Sequence, residues 1–145
     1  MKKTAEILLV DDNPADVDLT IETLAQSARA LHVSAVSDGG EAMSWLRRQG
    51  RHRDAPQPDL VILDLNLPRK SGREVLAEIK TDSELRRIPI IVFTSSEAAS
   101  DVTHSYDLGA NCYLRKPGNL ADFIAVIQFM ERFWLDCATL PEKEK

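Results

Sequence analysis

Reactive side chains stand at or just past the ends of four separate apolar segments of the chain. They are Asp11 and Asp12 after residues 7–10, Asp64 after residues 60–63, Thr94 after residues 89–93 and Lys116 after residues 112–114. Taken singly, each has an ordinary structural explanation, since Asp forms turns, Thr suits strands and Lys usually faces solvent. Their shared position after apolar segments predicts instead that carboxylates, a hydroxyl and an ammonium meet in one crevice.

The charge of these side chains indicates what such a crevice can do. Two carboxylates about 4 Å apart repel by about 4 kcal/mol at an effective dielectric constant near 20, so three of them need countercharge. A divalent ion together with Lys116 balances the three aspartates, and carboxylates with water and a phosphoryl oxygen are the typical Mg²⁺ environment. A carboxylate neutralised in this way can attack phosphorus, while Lys116 and Thr94 stabilise the transferred group. The pattern therefore predicts Mg²⁺-dependent phosphoryl transfer.

Five apolar strands alternate with five helical segments along the chain. The predicted strands span residues 7–10, 33–36, 60–63, 89–93 and 112–114. The first helix begins at Pro14 behind Asn13 as N-cap, the second and third follow Asp38-Gly39-Gly40 and Gly72, and the last two span residues 97–108 and 119–134. Strands without polar alternation are typical of a parallel sheet that is covered on both faces. Right-handed crossovers then build a doubly wound sandwich. We predict a flavodoxin-like (βα)5 α/β fold with sheet order 2-1-3-4-5.

Composition limits the classes to which the protein can belong. The chain has 145 residues and a net charge of −5, and 43% of its residues are hydrophobic. We predict one domain over residues 1–134 and a tail over residues 135–145. Without a basic stripe we expect no nucleic-acid partner. Without a long apolar run or a signal peptide we expect no membrane contact and a cytoplasmic location, with Cys112 and Cys137 as free thiols.

Four motifs in this order resemble the receiver domain of two-component response regulators. They are ILLVDD at residues 7–12, VILDLNLP at 61–68, IIVFTSS at 90–96 and YLRKP at 113–117. The resemblance implies a protein that accepts phosphate from a sensor histidine kinase and is no enzyme beyond its own phosphorylation and dephosphorylation. It implies Asp64 as the phosphoacceptor, and a Mg²⁺ site formed by Asp11, Asp12, Asp64 and the backbone carbonyl of Asn66.

The same resemblance assigns a conformational switch. Thr94 is similar to the switch hydroxyl that bonds the phosphoryl group, Tyr113 to the switch aromatic and Lys116 to the cationic partner of the phosphate. Pro117 resembles the cis proline of the family, which implies a cis peptide that aims Lys116 inward. The face formed by the fourth helix, the fifth strand and the fifth helix is then expected to change on phosphorylation.

The last helix carries two apolar stripes. One, Leu120, Phe123, Ile124, Ile127, Met130 and Trp134, is spaced to cover a sheet face. Val126, Phe129 and Phe133 form a second stripe about a third of a turn away, which needs a partner. Either the tail folds back over this second stripe, or the stripe forms the interface of a symmetric homodimer, which we favour.

Shorter motifs point to a narrower group within the family. LDLNLP at 63–68, GREVLAEIK at 72–80, NCYLRKP at 111–117 and FWL at 133–135 ahead of TLP at 139–141 are similar to single-domain response regulators paired with phytochrome histidine kinases. This similarity implies a phytochrome-type kinase as phosphodonor and a homodimer through the last helix.

Two other functions are compatible with parts of the pattern. A haloacid-dehalogenase-like aspartate phosphatase also has an Asp at a strand end, but it needs a second Asp two residues later, where this chain has Asn66. A receiver-like interaction module that never takes phosphate is the other alternative, and the complete set of acceptor residues gives it no support.

Overall fold

The computed structural model describes residues 4–143. Its strands are β1 (Ala5–Val10), β2 (Leu31–Val36), β3 (Leu60–Leu63), β4 (Ile90–Thr94) and β5 (Cys112–Arg115). Its helices are α1 (Pro14–Ala25), α2 (Gly39–Leu46), α3 (Gly72–Thr81), α4 (Ala99–Asp107) and α5 (Leu120–Arg132). The strands form one parallel sheet in the order β2-β1-β3-β4-β5. The predicted fold class and strand order are therefore confirmed.

Both faces of the central strands β1, β3 and β4 are buried, which explains their continuous apolar runs. Along β1, Leu8 and Val10 belong to the core cluster that includes α2 and α3 residues, whereas Ile7 and Leu9 belong to the cluster with α1 and α5 residues. Successive strand side chains point to opposite faces, so one apolar strand supplies both clusters. The sheet is thus held rigidly from two sides, with its strand ends at one edge.

Four of the five α-helices have a side-chain N-cap. Asn13, Asp38, Ser71 and Asn119 each accept a backbone N–H at the start of α1, α2, α3 and α5. Such caps satisfy amides that have no partner within the helix. The N-cap position of α4 is Ala98, which offers no side-chain cap. The loop before α4 must therefore be held in another way.

A glycine allows α3 to start directly against the end of β3. A Cβ atom at position 72 would overlap the backbone carbonyl of Asp64. The Gly72 amide donates to the carbonyl of Leu65 at 2.9 Å. The missing side chain therefore lets the helix close beside Asp64.

The peptide before Pro117 differs from the expectation based on resemblance. No cis peptide bond occurs in residues 4–143, so the predicted cis form at Pro117 is wrong. Lys116 nevertheless lies in the site described below. The β5 ladder orients it, because its backbone amide donates to the carbonyl of Thr94 at 2.8 Å.

The end of α5 also departs from the sequence prediction. The α-helix ends at Arg132, two residues before the predicted end at Trp134, and a π-helical turn over Phe133–Cys137 follows it. Leu120 is 63% exposed, so the predicted sheet-covering stripe begins at Phe123 instead.

No helix within residues 4–143 has the length and apolar character needed to cross a lipid bilayer.

The tail after α5 leaves the second apolar stripe uncovered. Asp136 pairs with Arg29, and Lys143 Nζ lies 3.3 Å from Asp59 Oδ2. Phe129 and Phe133 stay 57% and 44% exposed. The alternative in which the tail folds over this stripe is therefore not observed in the described chain.

Candidate functional site

The parallel ladder continues past the strand ends and carries the site residues with it. The Asp11 amide donates to Val36 O at 3.1 Å, the Asp64 amide to Val10 O at 2.9 Å and the Lys116 amide to Thr94 O at 2.8 Å. Backbone hydrogen bonds thus set the position of each functional residue relative to its neighbour. This explains how residues far apart in sequence reach one edge of the sheet.

Three carboxylates cluster at this edge. One oxygen each from Asp11, Asp12 and Asp64 lies within 4.8 Å of the others. Asp11 and Asp64 are 5% and 7% exposed, and Asp12 is exposed. Oxygens on opposite sides of a Mg²⁺ ion lie about 4 Å apart, since each bond is about 2.1 Å. The donor set of hard, charged oxygens therefore fits a small divalent cation.

The carboxylate of Asp64 is held at both oxygens. Thr94 Oγ1 donates to Oδ1 at 2.8 Å, and the Asn66 amide donates to the same oxygen at 3.2 Å. Lys116 Nζ donates to Oδ2 at 2.9 Å. Thr94 is fully buried. These contacts fix the direction of the Asp64 oxygens and place residue 66 beside them.

Lys116 lies between three carboxylates. Its Nζ is 2.7 Å from Asp11 Oδ2, 2.8 Å from Asp16 Oδ2 and 2.9 Å from Asp64 Oδ2. Burial by itself lowers the pKa of Lys116, but the hydrogen bonds to these carboxylates outweigh it and raise the pKa well above its ordinary value. The ammonium is therefore charged at neutral pH.

The pKa of Asp11 is shifted mainly by its burial. Burial raises the pKa of Asp11 above its ordinary value, and hydrogen bonds from Lys116 and the Asn13 amide offset only part of this rise. The Coulombic effect of Asp64 raises it further. Several carboxylates stabilise the charged form of the one ammonium among them, whereas each carboxylate has other negative charges close by. The site can thus accept additional positive charge.

Asp16 belongs to the site although its sequence context did not predict it. This residue lies in the first turn of α1, where acidic side chains commonly complement the helix dipole, so its type carried no signal of a site. A usable signal was its position, since the start of α1 follows immediately after Asp11 and Asp12. The predicted convergence of Asp11, Asp12, Asp64, Thr94 and Lys116 is observed, with Asp16 as an addition.

Tyr113 is half-buried and tied to the loop that follows Thr94. Its Oη donates to the backbone carbonyl of Ser96 at 3.0 Å. The Ser96 hydroxyl donates to Asp101 at the start of α4, and Arg73 Nη2 on α3 donates to the same carboxylate at 2.6 Å. Hydrogen bonds from Ser96 and Arg73 lower the pKa of Asp101. This network holds the uncapped beginning of α4.

The predicted dimer residues do not share one environment. The rings of Phe129 and Phe133 stack with centroids 6.0 Å apart on the exposed face of α5. Val126 is only partly exposed and packs against the core cluster with α1 and α5. The open part of the stripe is therefore aromatic.

Comparisons with known proteins agree with this geometry. The chain matches the response regulator receiver domain over residues 7–128. It is 48% identical over 135 residues to Response regulator Rcp1 of Synechocystis sp., covering 93% of this chain and 92% of that protein.

Solved structures show the same likeness. The phosphorylated cyanobacterial phytochrome response regulator RcpA has a TM-score of 0.94 at 49% identity, with 97% of this chain and 100% of that chain covered. The Mn²⁺-bound form of Rcp1 has a TM-score of 0.92 at 47% identity, with 95% and 99% covered. By its motifs, its fold and the arrangement of its strand ends, this chain belongs to the response regulator receiver domain family.

Proposed function

We propose that this protein receives a phosphoryl group on Asp64 from a phosphohistidine of a sensor kinase. The observation that carries the proposal is the hold on the Asp64 carboxylate, with Thr94 Oγ1 at 2.8 Å from one oxygen and Lys116 Nζ at 2.9 Å from the other. A nucleophile with a hydroxyl and an ammonium beside it meets the main needs of phosphoryl transfer, which are positioning and charge stabilisation.

The transfer needs no reagent other than the phosphohistidine and the Asp64 carboxylate. An Asp64 carboxylate oxygen forms a bond to phosphorus with one of its lone pairs while the phosphorus–nitrogen bond of phosphohistidine breaks. The imidazole leaves with the electron pair of that bond, and it leaves as a neutral ring when its other nitrogen carries a proton. Lys116 and Thr94 then donate to the oxygens of the transferred group.

We assign the metal site to Asp11, Asp12, Asp64 and the backbone carbonyl of Asn66, with Mg²⁺ as the ion. The cluster of oxygens within 4.8 Å supports this assignment, as does the Mn²⁺-bound state of the similar Rcp1. A bound Mg²⁺ supplies positive charge that offsets the crowded carboxylates and the phosphoryl oxygens.

Thr94 and Tyr113 are proposed as the switch. A phosphoryl group on Asp64 strengthens the pull on the Thr94 hydroxyl, and the Tyr113 bond to Ser96 O at 3.0 Å holds the loop that follows. A phosphate shifts this equilibrium only by its different interaction with the two states. The network from Ser96 to Asp101 carries the change to α4, so the output surface comprises α4, β5 and α5.

A phytochrome-type histidine kinase is the proposed phosphodonor. The support is the 49% identity to RcpA, which is described as a cyanobacterial phytochrome response regulator. We also propose a homodimer through Val126, Phe129 and Phe133, because two large aromatic rings remain exposed beside each other on α5.

Phosphorylation with labelled donor tests the proposal. We expect purified protein to incorporate label from phosphoramidate in the presence of Mg²⁺, and the bond to be cleaved by hydroxylamine, as befits an acyl phosphate. Asp64→Asn is expected to abolish labelling. Asp54→Asn, at an exposed position outside the site, is the matched control and should label like the wild type.

Two outcomes would contradict the proposal. Label that persists in Asp64→Asn would place the phosphoryl group elsewhere. Steady release of phosphate from small phosphate esters, without a labelled protein, would favour the phosphatase alternative. Labelling from purified candidate kinases then tests the phytochrome assignment separately.

A further inference from the structure

Asp16 contributes a further carboxylate to the site. It is neither the proposed phosphoacceptor nor a proposed metal ligand. Its Oδ2 lies 2.8 Å from Lys116 Nζ. The side chains of Lys116 and Asp16 are 5% and 26% exposed, so the contact lies at the rim of the buried cluster. Asp16 is not among the three carboxylates close enough to share a cation. Its carboxylate can therefore pair with Lys116 without also binding the cation.

The Lys116 ammonium has three N–H bonds and meets three carboxylates. Two of these partners change during the proposed reaction. Asp64 becomes an acyl phosphate and passes its charge to the phosphoryl oxygens, and Asp11 shares its charge with a bound cation. Lys116 must then turn from Asp64 towards the phosphoryl group. Asp16 is neither the proposed acceptor nor a proposed metal ligand, so neither change alters its carboxylate.

The backbone around Asp16 is fixed to the site. Asp11 Oδ1 accepts from the Asn13 amide at 2.9 Å, and Asn13 Oδ1 accepts from the Asp16 amide at 3.1 Å. Thr20 Oγ1 donates to the Asp16 carbonyl at 2.7 Å. The first turn of α1 is thus tied to the carboxylate cluster, and Asp16 can hold an ammonium at a defined place.

We propose that Asp16 is a positioning residue that keeps the Lys116 ammonium at the reacting group while its other partners change. This inference rests on the proposed phosphorylation of Asp64. Asp16 itself touches neither the acceptor nor the transferred group in this arrangement. Its contribution is to limit the movement of Lys116, and a small loss of alignment can reduce such rates about a hundredfold.

A simpler role is that of a helix-dipole partner in the first turn of α1. That role affects the stability of α1 but leaves the mobility of Lys116 unchanged. Asp18 provides a matched control, since it is an exposed acidic residue on the same helix. Asp16→Glu keeps the charge and tests whether a carboxylate on a longer side chain restores the function.

The test compares Asp16→Ala, Asp16→Glu and Asp18→Ala with the wild type. The first measurement is the rate of Asp64 labelling by phosphoramidate at saturating Mg²⁺ and donor. The second is the hydrogen exchange of the Lys116 ammonium protons by ¹⁵N NMR in the unphosphorylated protein. The second measurement does not depend on phosphorylation and serves as a readout that a purely structural role would not move.

We expect Asp16→Ala to slow labelling by about tenfold or more and to accelerate ammonium exchange. Asp16→Glu should recover part of both, and Asp18→Ala should match the wild type. Equal rates and equal ammonium exchange in Asp16→Ala and Asp18→Ala would overturn the role of Asp16. A wild type that takes no label would instead overturn the proposed phosphorylation, so the two failures are distinguishable.

Discussion

Replacing Lys116 with Met tests the electrostatics of the site most directly. The substitution keeps the apolar stem of the side chain and removes the ammonium. The side chains of Lys116, Asp11 and Asp64 are 5%, 4% and 9% exposed. Two nearly buried carboxylates then lose their cation at neutral pH. We expect a large loss of stability in metal-free buffer.

The magnitude follows from the distances. Lys116 Nζ lies 2.7 Å from Asp11 Oδ2 and 2.9 Å from Asp64 Oδ2. A unit charge pair at such a distance attracts by about 6 kcal/mol at an effective dielectric constant near 20, before the cost of dehydration is subtracted. Removing one partner of a buried pair typically costs about 3–5 kcal/mol. We therefore expect Lys116→Met to lower the free energy of unfolding by about 3–5 kcal/mol at pH 7.

Added Mg²⁺ should reverse part of this loss. The carboxylates of the variant have no competing ammonium, so a divalent cation binds them more tightly than in the wild type. A ligand at 100 times its Kd adds about 2.7 kcal/mol, and each tenfold gain in affinity adds about 1.4 kcal/mol. The stabilisation by Mg²⁺ is therefore expected to be larger for Lys116→Met than for the wild type.

Urea unfolding followed by far-UV circular dichroism, with and without Mg²⁺, measures both effects. Lys143→Met is the control, because Lys143 pairs with Asp59 at 3.3 Å but is 35% exposed. Exposed pairs contribute at most about 1 kcal/mol. If Lys116→Met cost no more than Lys143→Met in metal-free buffer, or if Mg²⁺ stabilised it no more than the wild type, the electrostatic reasoning would be refuted.

Three further perturbations test other parts of the structure. Because burial raises the pKa of Asp11 above its ordinary value, protons compete with Mg²⁺ at a higher pH than at an ordinary Asp. The rise in Tm on adding Mg²⁺ should therefore fade as the pH is lowered towards this raised pKa, and a rise that stays the same throughout an acid titration would argue against it. Tyr113→Phe loses the 3.0 Å bond to Ser96 O and should cost about 1 kcal/mol in urea unfolding, whereas no change would show that the bond adds nothing. Phe123→Ala, at a 4% exposed ring, should lower the free energy of unfolding by about 3–5 kcal/mol. Phe133→Ala should change the stability of the monomer by less than about 0.5 kcal/mol but lower the dimer fraction in analytical ultracentrifugation. An unaltered dimer fraction would exclude this face as the interface.

The strands and most of the site were predictable from local patterns, and the strand order from the general rule for right-handed parallel crossovers. An apolar strand buried on two faces has no polar alternation, and this pattern is visible in Ile7 to Val10 and Leu60 to Leu63. A side chain that directly follows such a strand must lie at the carboxyl edge of the sheet. The predicted positions of Asp11, Asp64 and Lys116 followed from this rule.

Contacts between separate elements were not predictable. The bond from Asp16 to Lys116 joins residues 100 positions apart, and it depends on how the first turn of α1 is placed over the strand ends. The network of Ser96, Asp101 and Arg73 joins α3 to α4 for the same reason. No periodicity in the sequence records such pairs, because each residue type is ordinary at its own position.

The expectation for Pro117 shows the limit of resemblance. A motif transfers the residue types, but the geometry of one peptide bond depends on the packing around it. In this chain the β5 ladder directs Lys116 into the site without a cis peptide.

The amino-acid sequence by itself determined the five apolar strands, their alternation with helices and which reactive side chains stand at the strand ends, because these follow from short-range hydrophobic patterns. The sheet order then followed from the right-handed rule for parallel crossovers. Tertiary packing alone decided that Lys116 has three carboxylate partners rather than two, and that Phe129 and Phe133 stay exposed while Val126 turns towards the core. The physical reason is that burial and ion pairing depend on the distance between elements, which no single segment specifies.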